Sequence, residues 1–220
     1  MTLPAVVFLD IGETLVHGPP EGPARRIART VGLSAGERRA LHDALMTRPF
    51  ATPAAVSAWM AESLGIVGAE AAVGAVWAAQ ERDARPVDGA ESALRALHED
   101  GVTLGLLSNI WQPYLSSAWL GLGDLLEQLV APALRIYSFR EGHAKPAPAI
   151  FARALAAAGV PAERTVMVGD SYAKDIAPAA RAGMGTVHVG GPGGVESVAA
   201  LDGDVLAAAV AEGARAHPVG

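Results

Sequence analysis

Four short apolar runs set the limits on this fold: Val6 to Leu9, Val102 to Leu107, Thr165 to Val168 and Thr186 to Val189. Each has the length of a strand without the alternation of a half-exposed one, so each reads as a strand buried on both faces. Such strands need helices above and below the sheet, and helical patterns lie between the runs. Asp88-Gly89-Ala90-Glu91 has capping-box spacing and opens a stretch through Leu94 and Leu97 that stops at Gly101, directly before the second run. Pro148 to Ala158, ended by Gly159, holds the corresponding place before the third. Strands alternating with helices predict an α/β fold, a Rossmann-like doubly wound parallel sheet.

The alternation breaks once. From about Pro19 to Arg85 there are helix signals and no strand. Ser34-Ala35-Gly36-Glu37 is a capping-box pattern, Thr52-Pro53 reads as a cap followed by proline at the first helical position, and Gly65 ends the helix containing Trp59 and Leu64. A further helix covers Glu70 to Asp83. Gly18-Pro19-Pro20 and Arg85-Pro86 flank the segment as hinges. The expected organisation is a core of residues 1–18 and 86–220 carrying a small inserted all-helical cap domain, residues 19–85. Trp59 and Trp77 read as packing residues of that cap, and Arg25, Arg26 and Arg29 as a solvated helix face.

Composition narrows the partners. Seventeen basic against 23 acidic side chains give a net charge of −6, and no long basic run exists, which argues against nucleic acid and anionic membranes. No apolar stretch approaches the length of a membrane span, and the first residues lack the pattern of a signal peptide, so a cytoplasmic protein acting on a small molecule is expected. With no cysteine, the chain has no disulfides, thiolate metal sites or cysteine nucleophiles. Its chemistry must come from oxygen and nitrogen groups.

In open α/β sheets ligands collect at the carboxyl ends of the strands. The residues directly after the four runs are Asp10, Ser108-Asn109, Gly169-Asp170 and Gly190-Gly191. Asp10 and Asp170 would then converge from distant parts of the chain. Two such carboxylates repel each other unless a cation joins them, and oxygen-only donors favour Mg²⁺ over a transition metal.

These residues resemble the haloacid dehalogenase superfamily, most of whose members are phosphotransferases. Asp10-Ile11-Gly12-Glu13-Thr14-Leu15 is similar to its first motif, Leu106-Leu107-Ser108-Asn109 to the second, His143-Ala144-Lys145-Pro146 to the third, and Gly169-Asp170 with Asp175 five residues on to the fourth. The ordered set spans most of the chain. The resemblance implies that Asp10 is a nucleophile attacking phosphorus and also a Mg²⁺ ligand, together with the Gly12 carbonyl, Asp170 and Asp175. It implies that Ser108, Asn109 and Lys145 bind the phosphoryl group of a small phosphorylated metabolite, and that Thr14 orients that group. The helical insertion falls where the family's cap of the first class sits, with the lid function that this implies.

One position departs from the pattern. Where the family's phosphatases carry a second Asp two residues after the nucleophile, this chain has Gly12, so the usual proton donor to the leaving oxygen is missing. General acid–base catalysis contributes about 10²- to 10⁴-fold, so slow or selective turnover is expected. Glu13 is the nearest replacement, although strand-like alternation would turn it away from Asp10, and His17 on the hinge is the other. Two alternatives follow. A 2-haloacid dehalogenase would leave Asp170 and Asp175 uncompensated beside Asp10, and a catalytically silent phosphate-binding protein would keep the site without turnover. A Schiff-base chemistry in the cap is disfavoured because no lysine occurs between Pro19 and Arg85. His42, His98, His188 and His217 have no metal-ligand spacing and read as surface or helix-end residues. Gly190-Gly191-Pro192-Gly193-Gly194 lacks the lysine and hydroxyl of a P-loop and reads as a flexible loop at the rim.

Overall fold

The chain starts with the buried strand β1 (Val6–Leu9) and a short β2 (Val16–His17), then runs through four helices. These are α1 (Pro23–Val31), α2 (Ala35–Thr47), α3 (Pro53–Leu64) and α4 (Glu70–Asp83). It returns through β3 (Arg85–Pro86) to α5 (Ala90–Glu99), β4 (Thr103–Ser108), α6 (Gln112–Leu129), β5 (Arg135–Tyr137), the single turn α7 (Ser138–Glu141) and α8 (Pro148–Ala158). The last elements are β6 (Thr165–Gly169), α9 (Ala177–Arg181), β7 (Gly185–His188) and α10 (Gly203–Ala216). This computed structural model describes residues 3–216, so His217 and the first two residues lie outside the described part.

The main sheet is parallel throughout, in the order β5-β4-β1-β6-β7. The chain builds outward from β1 to one edge and then crosses back to β6 on the other side. The strand order therefore reverses between β1 and β6, the place where doubly wound sheets bind their ligands. In register, Leu9 stands beside Leu106 of β4 and Val168 of β6, so the residues that follow these strands emerge side by side. All four residues of β1 are buried, as expected for a central strand covered by helices on both faces.

The four helices between β2 and β3 form as their local signals dictate. The Ser34 hydroxyl accepts from the Glu37 amide at 3.3 Å while the Glu37 carboxylate accepts from the Ser34 amide at 2.7 Å, a complete capping box. The Thr52 hydroxyl accepts from the Ala55 amide at 3.2 Å. Each such cap is worth about 1 kcal/mol to its helix. Ile27, Leu41, Leu45, Val56, Met60 and Val73 pack the insertion internally. At its root β2 and β3 pair antiparallel, Val16 with Pro86 and His17 with Arg85, and the Tyr114 hydroxyl donates to the Val16 carbonyl at 2.7 Å. Helix α4 lies against α6 and α2 against α7, with the rings of Trp77 and Trp111 edge to face at 5.4 Å.

Two local expectations are corrected, and one strand joins the sheet that no apolar run announced. Helix α5 forms, but Asp88 does not cap it: the N-cap is Gly89, at φ +80°, with no side-chain cap bond. Its Cα lies against Ala199, where a Cβ would come within 2.3 Å, so packing rather than capping fixes this helix start. Strand β5 gives no apolar run because it is three residues long and begins with Arg135, which bends back to the Val130 carbonyl at 2.7 Å. The glycine loop after β7 is a closed turn, since the Gly190 amide donates to the Val195 carbonyl and the Val195 amide to the His188 carbonyl. No helix among the described residues is long and apolar enough to cross a membrane.

Candidate active site

Asp10 follows β1 and its amide donates to the Val168 carbonyl of β6 at 2.9 Å, which ties the end of one central strand to its neighbour. Asp170 follows β6. Asp175 comes five residues later, at the end of one wide π-helical turn, Tyr172–Ile176, and folds back against the strand end. Gly169 permits this, because a Cβ there would lie 2.5 Å from the Asp175 carboxyl carbon. As a result Asp10, Asp170 and Asp175 each offer an oxygen, all within 4.8 Å of one another.

Among these carboxylates sits Lys145, which follows a turn after α7. Its ammonium donates to the Leu107 carbonyl at 2.8 Å and to Asp175 at 2.5 Å, and forms an ion pair with Asp10 at 2.9 Å. The Lys145 side chain is 1% exposed and that of Asp175 is fully buried. Burial alone works against the Lys145 charge, but Asp10 and Asp175 more than offset it and hold the ammonium above its ordinary value. The carboxylates lack matching compensation. Burial first, and the Asp10 charge second, push Asp170 upward and raise Asp175 to about 6. Three carboxylates sharing one ammonium leave a surplus of negative charge in a partly dehydrated place, which a divalent cation with oxygen preference would neutralise.

The remaining expected residues frame this centre. Ser108 ends β4 and is buried. Asn109 makes a two-point contact with the Lys145 backbone, donating to its carbonyl at 2.8 Å and accepting from its amide at 2.7 Å. Its amide thus holds the segment that delivers the lysine. Thr14 is fully buried and its hydroxyl has no hydrogen-bond partner among the described residues, as expected of a group reserved for a ligand. Gly12 lines a cavity of about 180 Å³ between the strand ends and the helical insertion, together with Glu13, Met46, Gln80, Trp111 and Tyr114.

Glu13 does not follow the alternation expected of it. At φ +56° the chain leaves the extended conformation, and the Glu13 carboxylate pairs with the His17 ring at 2.8 Å and accepts from the Gly18 amide at 3.2 Å. The two candidate substitutes for the missing Asp are therefore bonded to each other beside the cavity. A Cβ on Gly12 would meet only Tyr114, at 3.9 Å, so the position has room for a side chain.

A model of the haloacid dehalogenase-like hydrolases matches residues 4–183. The chain belongs to this family. Over 108 residues, 47% of the chain, it is 37% identical to a glyceraldehyde 3-phosphate phosphatase of Pyrococcus abyssi. That stretch is 42% of the relative, so the chain spans less than half the length of the curated relatives it matches. A haloacid dehalogenase family enzyme of Bacteroides thetaiotaomicron, solved as a magnesium complex, has the same fold at TM-score 0.65 and 19% identity, covering 85% of this chain and 93% of that one. A 2-haloacid dehalogenase of Pseudomonas syringae matches at TM-score 0.64 and 19% identity, covering 94% and 99%. Haloacid dehalogenase-like folds thus carry differently named chemistries, and the side chains at the strand ends must distinguish them.

Sequence reasoning missed several members of this haloacid dehalogenase-like site. Tyr114 and Trp111 shape the cavity from the start of α6, which no motif covers. His188, read as a surface or helix-end residue, places its Nε2 3.0 Å from the Asp170 carbonyl. Gly191 closes over that imidazole and Gly194 over the His188 backbone carbonyl, so a Cβ on either would overlap His188. The density of glycines after β7 was the available signal, and it marks close packing around a ring.

Proposed function

We propose that this hydrolase is a Mg²⁺-dependent phosphatase that acts on a small phosphorylated metabolite through an aspartyl-phosphate on Asp10. The observation that carries this reading is the convergence of Asp10, Asp170 and Asp175 around the buried Lys145 ammonium at the switch point of the sheet. Dehalogenation needs no cation, and under it the surplus charge would stand uncompensated. The name of the Pyrococcus relatives, a phosphatase of a three-carbon sugar phosphate, supports the same substrate class.

Asp10, the Gly12 carbonyl, Asp170 and Asp175 are the groups that would hold Mg²⁺. When bound, the ion supplies positive charge that offsets the carboxylates and the phosphoryl oxygens. The Asp10 carboxylate attacks phosphorus, the substrate oxygen departs with the bonding pair, and water then attacks the phosphorus of the aspartyl-phosphate to release inorganic phosphate and free Asp10. Lys145 pairs with Asp10 and offsets charge on the transferred group, while Ser108 and Thr14 donate to its oxygens. Asn109 positions Lys145. At the step where the leaving oxygen needs a proton, Gly12 offers no side chain, so aryl or acyl phosphates are favoured over alkyl ones.

The test is hydrolysis of p-nitrophenyl phosphate and of 2-chloropropionate, each with and without Mg²⁺. Mg²⁺-dependent release of phosphate, with no chloride released, is expected. Chloride release in the presence of EDTA would move the assignment to a dehalogenase, and phosphate binding without turnover to a silent binding protein.

A further inference from the structure

The helical insertion carries a second charged recess. A cleft of about 370 Å³ opens at α1 and α2, lined by Gly22, Ala24, Arg25, Arg38 and His42. Arg38 and His42 are four residues apart on α2 and so share one of its faces. Neither Arg25 nor Arg38 takes part in an ion pair among the described residues. Carboxylates on neighbouring elements are already engaged: Glu21 with Arg29 at 2.5 Å, Glu37 with the Ser34 amide, and Glu141 with Arg153 at 3.3 Å. From the core, Lys174 adds a further positive charge. His42 registers this field. Partial desolvation of its ring, then Lys174, hold it below its ordinary value, with Arg38 adding and Asp43 opposing.

Gathering Arg25 and Arg38 beside His42 in a concave place, with Asp43 as the opposing charge at His42, leaves a cationic surplus in the free protein, and an anion entering the cleft offsets it. The cleft adjoins the cavity beside Gly12, since Gly22 lines both. The charged residues lining the inner cavity are carboxylates, Glu13 and Glu21. The inner cavity thus offers an anionic end no cationic side chain, whereas the adjoining cleft offers Arg25, Arg38 and His42.

We propose that the cleft lined by Arg25, Arg38 and His42 binds a second anionic group, a phosphate or carboxylate, beyond the one that reacts at Asp10. The group comes either from the far end of the substrate, which rests on the phosphatase reading, or from a free small anion.

Binding itself is tested without turnover. In Mg²⁺-free protein the acidic centre repels anions, so sulfate added there reports on the cleft, followed by NMR titration of the His42 ring. Sulfate is expected to move the His42 midpoint upward, and Arg25→Gln and Arg38→Gln to abolish this response without lowering Tm. A midpoint that ignores sulfate, or a response that survives both substitutions, overturns the proposal. The source is then read from kinetics with Mg²⁺ on an alkyl monophosphate and on the bisphosphate of the matching diol. Loss of one charged hydrogen bond corresponds to about a tenfold change or more. A KM for the bisphosphate raised by this factor in Arg38→Gln, with kcat and the monophosphate unchanged, identifies the far end of the substrate. An intact sulfate response with no selective KM effect identifies a free anion. If neither ester nor p-nitrophenyl phosphate turns over while sulfate still moves His42, the phosphatase reading fails and the anion site stands.

Discussion

The end of the central sheet and the cleft of the helical insertion carry opposite surpluses of charge. At the sheet, Asp10, Asp170 and Asp175 crowd one buried ammonium; at the insertion, Arg25, Arg38 and His42 line one cleft, with the charges of Lys174 and Asp43 acting on His42 from its surroundings. The two surpluses differ in how they are held. Asp175 has one oxygen on Lys145 and the other on the Ser171 amide, so the acidic centre is a rigid, hydrogen-bonded unit inside the core. The cationic cleft is built from side chains on helix surfaces, with no hydrogen bond among the described residues locking Arg25 or Arg38. An imbalance fixed in the interior suits an ion that must be placed accurately. One at an accessible helix face suits recognition of a group whose position varies between ligands.

Substitutions can break this comparison from either side. The largest effect is expected from Asp10→Asn, which removes the nucleophile and should lower turnover by about four orders of magnitude or more, measured with p-nitrophenyl phosphate. The fold should survive, since Lys145 keeps its bonds to Asp175 and Leu107. Lys145→Met should destabilise the Mg²⁺-free protein by about 3–5 kcal/mol at pH 7, because it leaves buried carboxylates unpaired. Denaturant unfolding checks this, and the loss should shrink at pH 5 as those carboxylates take up protons. If Lys145→Met is neutral at pH 7, the interior surplus is not the strained element described here.

Gly12→Asp should raise turnover of alkyl phosphates by up to about 10²-fold while changing aryl phosphates far less, because only the alkyl leaving group needs the proton. A variant that binds Mg²⁺ with no gain would show that the Glu13–His17 pair, or water, already supplies it. A smaller effect sharpens the electrostatic contrast. Asp175 titrates near 6 in the fold against 3.8 for the free side chain, so the native state binds protons more tightly than the unfolded one. The Mg²⁺-free protein should therefore lose stability as pH rises through this window. Mg²⁺ at a hundredfold excess over its Kd should return about 2.7 kcal/mol, and the gain in Tm should be larger at pH 7 than at pH 5. An equal gain at both values would mean that the acids are already compensated without the ion.

Much of this architecture was legible in local pattern. The runs at Val6 and Thr165 became strands within a residue of their expected ends, and Ser34, Thr52 and Gly65 mark helix boundaries through bonds or backbone angles that need no distant partner. Where a distant contact governs, local pattern failed. Gly89 replaced Asp88 as a cap because Ala199 packs against it, and Glu13 turned toward the cavity because the chain tightens after Ile11 to pair Gly12 with Val16. Arg25 is exposed, as its solvated reading has it, but its sequence neighbours say nothing of the cleft it shares with Arg38 and His42.

What the sequence by itself determined is the inventory and its order: strand-length runs, capped helices between them, and acidic and hydroxyl residues at the ends of the runs. These depend on periodicity and on backbone hydrogen bonding over a few residues. The tertiary structure alone decided which charges share a space. Asp10 and Asp175 are 165 residues apart and meet through Lys145 because β1 lies between β4 and β6, and the cationic cleft exists because α1 packs on α2. Electrostatic energy depends on distance through space and on exclusion of water, and neither quantity is written along the chain.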